Sequence, residues 1–262
     1  MALDPDIIDR LATIVDDAAR TLTPIPMLTG EVPELTLEEA YTVQRVSMGR
    51  RKSRGEEIVG LKMGLTSRAK MEQMGVHNPI YGHLTDGMRL GDGATINRGD
   101  YCHPRVEPEI AFLMGADIRG DVDPTTAMGA VSGVCAALEI IDSRFIDFKF
   151  TLRDVVADNA SSSGYLLGPL VKAPGEIDLG NLGMVMTING EVAETGSSAA
   201  ILDHPARSLA ALLKMLHDRG EGLKKGQVVL AGATTKARFL EPGDVVTLEV
   251  DGLGATRLFM AS

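Results

Sequence analysis

The chain has no tryptophan, 4% aromatic residues and two cysteines, Cys102 and Cys135. Neither cysteine lies in a CxxC pair, which excludes a disulfide-stapled scaffold and a cysteine-ligated zinc site. No apolar run reaches the length of a membrane-spanning helix. The first twenty residues carry Asp4, Asp6, Asp9, Asp16 and Asp17, whereas a secretory signal needs a basic start and an unbroken apolar stretch. A soluble cytoplasmic protein with no membrane partner is expected. Positive charge is also scarce: 26 Lys and Arg stand against 36 Asp and Glu, for a net charge of −10. Arg50-Arg51-Lys52 and Lys224-Lys225 are too short to track a nucleic-acid backbone and suit the ends of helices, so no nucleic-acid partner is expected. There is no GxSxG, no GxGxxG and no Walker A segment, and the five histidines never fall at HxH or HxxxH spacing. Serine-hydrolase, nucleotide-binding and histidine-metal chemistry therefore have no positive signal.

What is present is an ordinary globular composition, 44% hydrophobic and 24% charged over 262 residues. The N-terminal part reads as helical. Pro5 suits a first turn, and Ile7, Ile8, Leu11, Ile14, Val15 and Ala18 keep helical spacing to about Leu22. Thr36 and Glu39 form a capping box that opens a helix to about Arg51. Ile58–Met63 then reads as a strand, with a short helix expected over 68–74. The rest is dominated by strands, at 88–90, 94–97, 105–114, 137–142 and 165–171, with hairpins at Asn189-Gly190 and Asp251-Gly252. Thr125 to about Cys135 is read as a crossing helix, and His204-Pro205 opens another. The expected fold is α+β: a mostly helical region over 1–75 and a β-rich catalytic domain over 76–262.

Charges placed inside apolar strands are the chemical signal. Glu107 and Glu109 lie two apart on one strand, so they share a face, roughly 6.5–7 Å apart. Alone they fit a solvent-facing edge strand, which Pro108 would favour. Glu139 sits in Ala136-Ala-Leu-Glu-Ile-Ile141, where a carboxylate needs a partner: Lys62, Arg144 or a cation. Three carboxylates without sulfur or imidazole suit a hard divalent ion, Mg²⁺ or Mn²⁺. Lys62, inside Val59-Gly-Leu-Lys-Met-Gly64, either snorkels to the surface or serves as a cation for an anionic substrate. Asp158-Asn159-Ala160-Ser161 reads as a turn or as a set of contacts to an anion. His204 is the histidine best placed to polarise a ligand.

Taken together, Gly60-Leu-Lys-Met-Gly-Leu-Thr66, Gly75-Val-His-Asn-Pro-Ile-Tyr-Gly82, Pro104-Arg-Val-Glu-Pro-Glu109, Leu138-Glu-Ile-Ile-Asp-Ser-Arg144 and Val156-Ala-Asp-Asn-Ala-Ser161 resemble the fumarylacetoacetate hydrolase superfamily. Within it they resemble the branch of 2-oxopent-4-enoate hydratases and 4-oxalocrotonate decarboxylases, over nearly the whole chain. The resemblance implies a mixed β-rich roll with helices packed outside. It implies Mg²⁺ (or Mn²⁺) held by Glu107, Glu109 and Glu139. Lys62 and Ser161 would be catalytic, and Leu65, Ile80, Asp158, Asn159 and His204 would contact substrate. Two departures stand out. Hydratases carry Asp where this chain has Ile80, which cannot handle a proton or a water. Asp203, before His204-Pro205, replaces a glycine.

The reaction this implies is metal-dependent decarboxylation of 4-oxalocrotonate (2-oxohex-3-enedioate) to 2-hydroxypenta-2,4-dienoate and CO₂, in the catabolism of aromatics. Lewis-acid activation of the 2-oxo group would drive it, and an apolar wall around Ile80 would receive the departing carboxylate. The expected partners are a small dicarboxylate 2-oxo acid, a 2-oxopent-4-enoate hydratase and further copies of the chain in a homo-oligomer. The alternatives are a hydratase acting on the dienol and a non-catalytic partner subunit of such a hydratase.

Overall fold

The computed structural model describes residues 3–67, 71 and 78–262. Apart from Met71, which is helical, the helix expected over 68–74 and the start of the following loop lie outside the described residues. The N-terminal region is helical as its pattern dictates. Helix α1 (Pro5–Thr21) takes its cap from the Asp4 side chain and ends on Leu22 in the left-handed conformation. A single turn, α2 (Leu28–Glu31), leads to α3 (Leu37–Ser53), whose Thr36–Glu39 capping box is formed.

The strands among the described residues form two sheets. The large one runs β2 (Ile80–Thr85), β1 (Ile58–Gly64), β10 (Val228–Leu230), β5 (Arg105–Met114), β6 (Val131–Ile141), β7 (Ser162–Leu167) and β3 (Arg89–Leu90), with β11 (Arg238–Phe239) also paired to β5. The small one runs β4 (Ala94–Ile96), β13 (Gly254–Met260), β12 (Val245–Val250), β8 (Gly183–Ile188) and β9 (Glu191–Ser197). Among the described residues the frame also includes α4 (Pro124–Met128), α5 (Leu152–Ala157) and α6 (Pro205–His217). The Asn189-Gly190 hairpin forms between β8 and β9, with both residues at positive φ as a type I′ turn requires.

One sequence reading is corrected. The stretch from Thr125 to Cys135 is not a crossing helix. Only Pro124–Met128 is helical, and from Val131 the chain is already β6, eleven residues long and buried on both faces. A strand covered on both sides reads as a continuous apolar run, which periodicity cannot separate from a buried helix. The strands expected at 88–90 and 94–97 form, and the turn between them passes the chain from one sheet to the other: β3 joins the large sheet and β4 the small one. A boundary near residue 75 falls between β1 and β2, which are neighbours in the large sheet.

One face of the large sheet, with Val106, Ile110, Phe112, Leu138 and Ile140, belongs to the main core. The opposite face holds a smaller apolar floor that includes Ala111, Cys135, Ala137, Tyr165 and Leu230. The acids stand on this second face.

Candidate active site

Alternation along β5 puts Glu107 and Glu109 on the face opposite Val106 and Ile110. The register with β6 sets Glu107 directly across from Glu139, and Glu109 across from Ala137, whose small side chain leaves room beside it. Carboxylate oxygens of the three glutamates lie within 4.8 Å of one another, and all three residues are buried. This is a central strand of the sheet, not a solvent edge.

Pro108 is nevertheless where an edge-seeking residue belongs. On one side of β5, β10 pairs with 111–113 and β11 with 105–106, so the ladder is broken between them. Thr234 N–H donates to the Pro108 carbonyl at 3.2 Å across that break, so the missing proline N–H also faces the gap. Through the same gap Gly232 N–H donates to Glu109 Oε2 at 2.7 Å. Gly232 has φ +108°, and a Cβ there would lie 2.1 Å from Thr66 Oγ1, so only glycine can deliver this bond. The sequence reading missed Gly232; its role depends on where β10 ends, which no local pattern announces.

Lys62 does not snorkel. Its ammonium is buried, 3.0 Å from Glu139 Oε2, and donates to the Ala160 carbonyl at 3.1 Å. Of the partners considered for Glu139, Lys62 is therefore the one present, and Arg144 pairs with Asp158 instead. Burial drives the Glu109 carboxyl well above its ordinary range, and the neighbouring Glu139 charge adds to this, outweighing Lys62. Burial also raises Glu139, against the pull of Lys62. Burial alone would lower Lys62, but Glu139, Glu107 and Glu109 together hold it charged. Among the described residues, Glu109 Oε1 and both Glu139 oxygens lack a hydrogen bond; Glu139 Oε2 meets Lys62 as an ion pair only. Buried carboxylate oxygens without donors, converging and free of sulfur or nitrogen, are the donor set a hard divalent cation requires. The residues fit such an ion.

The loop after α5 closes the site. Asn159, Ala160 and Ser161 all have φ between 51° and 59°, in the left-handed region that L-residues avoid. Two anchors hold them there. The Asp158 carboxylate accepts from Arg144 N–H at 3.0 Å and from its guanidinium Nε. The Asn159 side-chain amide accepts from His83 N–H at 2.7 Å and donates to the His83 carbonyl at 2.9 Å, pairing with the backbone of β2. Gly82 permits the approach, since a Cβ would fall 2.5 Å from the Asn159 carbonyl. The loop then presents the Ala160 carbonyl to Lys62 and, among the described residues, leaves Ser161 Oγ buried without a hydrogen-bond partner.

Three of the expected substrate contacts have structural partners of their own. The Asp158 and Asn159 side chains are engaged in holding the loop, through Arg144 and the His83 backbone. His204 caps α6, its Nδ1 accepting from Ala206 N–H at 3.1 Å, so that nitrogen is not available to a ligand. Ile80 is buried next to Lys62: Ile80 Cγ1 and Lys62 Nζ lie 3.1 and 3.9 Å from the point where a Gly64 Cβ would stand. Leu65, half-buried with φ 55°, follows directly at the end of β1. Asp203 occupies a glycine-like φ of 66° and turns its charge outward to Arg207 at 3.1 Å. The structure thus brings Lys62, Ile80, Ser161 and the three glutamates together. Arg144, the anchor of the loop, was visible in sequence only as a possible partner for Glu139.

The sequence profile described as fumarylacetoacetate (FAA) hydrolase C-terminal matches residues 64–258. The chain belongs to the fumarylacetoacetate hydrolase family. It is 49% identical over 248 residues to a 4-oxalocrotonate decarboxylase of a Pseudomonas species, covering 95% of this chain and 96% of that one. It is 35% identical over 257 residues to a 2-keto-4-pentenoate hydratase of Paraburkholderia xenovorans, covering 97% and 95%. Among solved structures, 4-oxalocrotonate decarboxylase from Pseudomonas putida G7, complexed with magnesium and adipate, superposes with a TM-score of 0.97 at 40% identity, covering 99% of each chain. No helix among the described residues is long and apolar enough to cross a membrane.

Proposed function

We propose that this chain is a Mg²⁺-dependent lyase that decarboxylates 4-oxalocrotonate to 2-hydroxypenta-2,4-dienoate. Glu107, Glu109 and Glu139 would hold the ion, and Mn²⁺ suits the same oxygens. When bound, the ion supplies Lewis-acid polarisation of the substrate's 2-oxo group. Loss of CO₂ from C5 sends the bonding pair through the C3–C4 double bond toward the C2 oxygen. Lys62, held charged by the three carboxylates, supplies fixed positive charge where that oxygen gains electrons. Ser161 offers a hydroxyl with no competing partner among the described residues. Ile80, next to Lys62, keeps water from the reacting carbons.

The observation that carries the choice of reaction is Ile80: the side chain at this position near Lys62 is a buried hydrocarbon that cannot itself activate water. The greater identity to a decarboxylase than to a hydratase supports the same reading. The dienol product calls for a hydratase to consume it, so a 2-oxopent-4-enoate hydratase is the partner proposed, with the chain acting as a cytoplasmic homo-oligomer. Purified enzyme with Mg²⁺ should release CO₂ from 4-oxalocrotonate. Clean conversion of 2-hydroxypenta-2,4-dienoate to 4-hydroxy-2-oxopentanoate, without CO₂ release from the diacid, would replace the decarboxylase with the hydratase. Absence of both activities, with an increase in a hydratase's flux, would make the chain its non-catalytic partner.

A further inference from the structure

Arg105 stands two residues before Glu107 on β5 and shares the face of the two glutamates. Its guanidinium carbon lies 3.8 Å from the ring centre of Phe148 and 4.1 Å from that of Phe239. Phe239 is its cross-strand neighbour on β11 and is 54% exposed, so this end of the face opens to solvent. Among the described residues nothing accepts a hydrogen bond from the guanidinium, and its Nε is buried without a partner. On the far side of Phe148, the His103 ring packs against the phenyl edge at 6.4 Å, and its Nε2 is also buried and unpartnered.

An arginine between two aromatic rings has both faces covered and its plane fixed. What remains open is the N–H edge, whose fork matches a carboxylate. Arg105 is separated from Glu107 by one strand repeat, roughly 6.5–7 Å. The carbon chain of a six-carbon diacid, five bonds of about 1.5 Å in a zigzag, spans roughly that distance.

We infer that Arg105, clamped by Phe148 and Phe239, is the receptor for the second carboxylate of a dicarboxylate 2-oxo acid whose 2-oxo acid end lies at the three glutamates. The inference rests on the function proposed above and refines it. The carboxylate that departs as CO₂ is held at Arg105, in place of the apolar wall around Ile80 expected from the sequence. The contact is made to a charge that vanishes as CO₂ forms, so it selects and orients the substrate without stabilising the transition state.

A matched pair of inert ligands tests this. Calorimetric titration of Mg²⁺-loaded enzyme with 2-oxohexanedioate and with 2-oxohexanoate isolates the second carboxylate. Wild type should prefer the diacid by about 10- to 100-fold, the scale of a charge-assisted bidentate pair. Arg105→Met should bind both alike, with affinity for the monoacid unchanged within about twofold. Phe239→Ala, at an exposed ring, should lose part of the preference. With 4-oxalocrotonate, Arg105→Met should raise KM without lowering kcat. A preference that survives Arg105→Met, or an equal loss of affinity for both ligands, overturns the assignment. A preference lost in Arg105→Met while wild type releases no CO₂ keeps the carboxylate site and overturns the reaction instead.

Discussion

The two sheets use alternation to opposite ends. In the small sheet β12 buries Val246, Leu248 and Val250 and turns Val245 and Glu249 outward. On β13, Arg257 is exposed between buried Thr256 and Leu258. Its strand charges are solvated and cost little. In the large sheet, β5 and β6 are buried along almost their whole length, and their charges point inward. There, among the described residues, Glu109 and Glu139 keep oxygens without hydrogen bonds, and the buried Lys62 ammonium pairs with Glu139. One sheet is built for stability alone. The other holds an arrangement that is unfavourable until a cation arrives, and this difference can be broken experimentally.

The largest expected effect is at the carboxylates. Glu109→Gln should lower Mg²⁺-dependent turnover by at least about a thousandfold. It should also leave the metal-free protein as stable as wild type or more so in urea denaturation at pH 7, because it removes a charge that burial opposes. Reduced stability with activity retained would place Glu109 among ordinary structural ion pairs. Lys62→Met should act on both properties. It leaves buried Glu139 without the ammonium it pairs with, at a cost of about 3–5 kcal/mol in metal-free urea denaturation, along with most of the activity.

A smaller effect concerns pH. Burial pushes the His83 imidazole down to about 4 from an ordinary 6.5, although its contact with Asn159 raises it slightly. Between these values the unfolded chain binds a proton that the folded chain refuses, so stability rises with pH across this window. The His83 contribution is fully present above about pH 6.5 and is lost as the pH falls toward 4. His83→Gln should flatten the thermal-melting profile over that interval; an unchanged slope would assign the acid sensitivity elsewhere. The smallest effect belongs to the small sheet: Glu249→Gln should change stability by less than about 0.5 kcal/mol and leave turnover untouched.

The same contrast explains what could be read in the sequence. The small sheet's hairpins are announced by Asn189-Gly190 and Asp251-Gly252, and the N-terminal helices by Pro5, Thr36 and Glu39, because caps and turns are local. The candidate site was legible where a charge interrupts an apolar run, at Lys62, Glu107, Glu109 and Glu139. It was not legible where it depends on pairing register. Nothing near Gly232 says that its N–H meets Glu109 across the gap at Pro108. Nor does the sequence show Arg144 pinning a left-handed loop through Asp158, or Asn159 binding the backbone of β2 rather than a substrate. Strand β6 was misread in its first half because a strand covered on both faces loses the period-two signal.

The most direct test of the buried carboxylate site is calorimetric titration of the chelator-treated chain with Mg²⁺, in parallel with Glu109→Gln and Glu139→Gln. Saturable binding of one ion per chain in the wild type, absent from both variants, is the predicted result. Undiminished Mg²⁺ binding by either variant, or none by the wild type, would contradict the metal site on which the proposed chemistry depends.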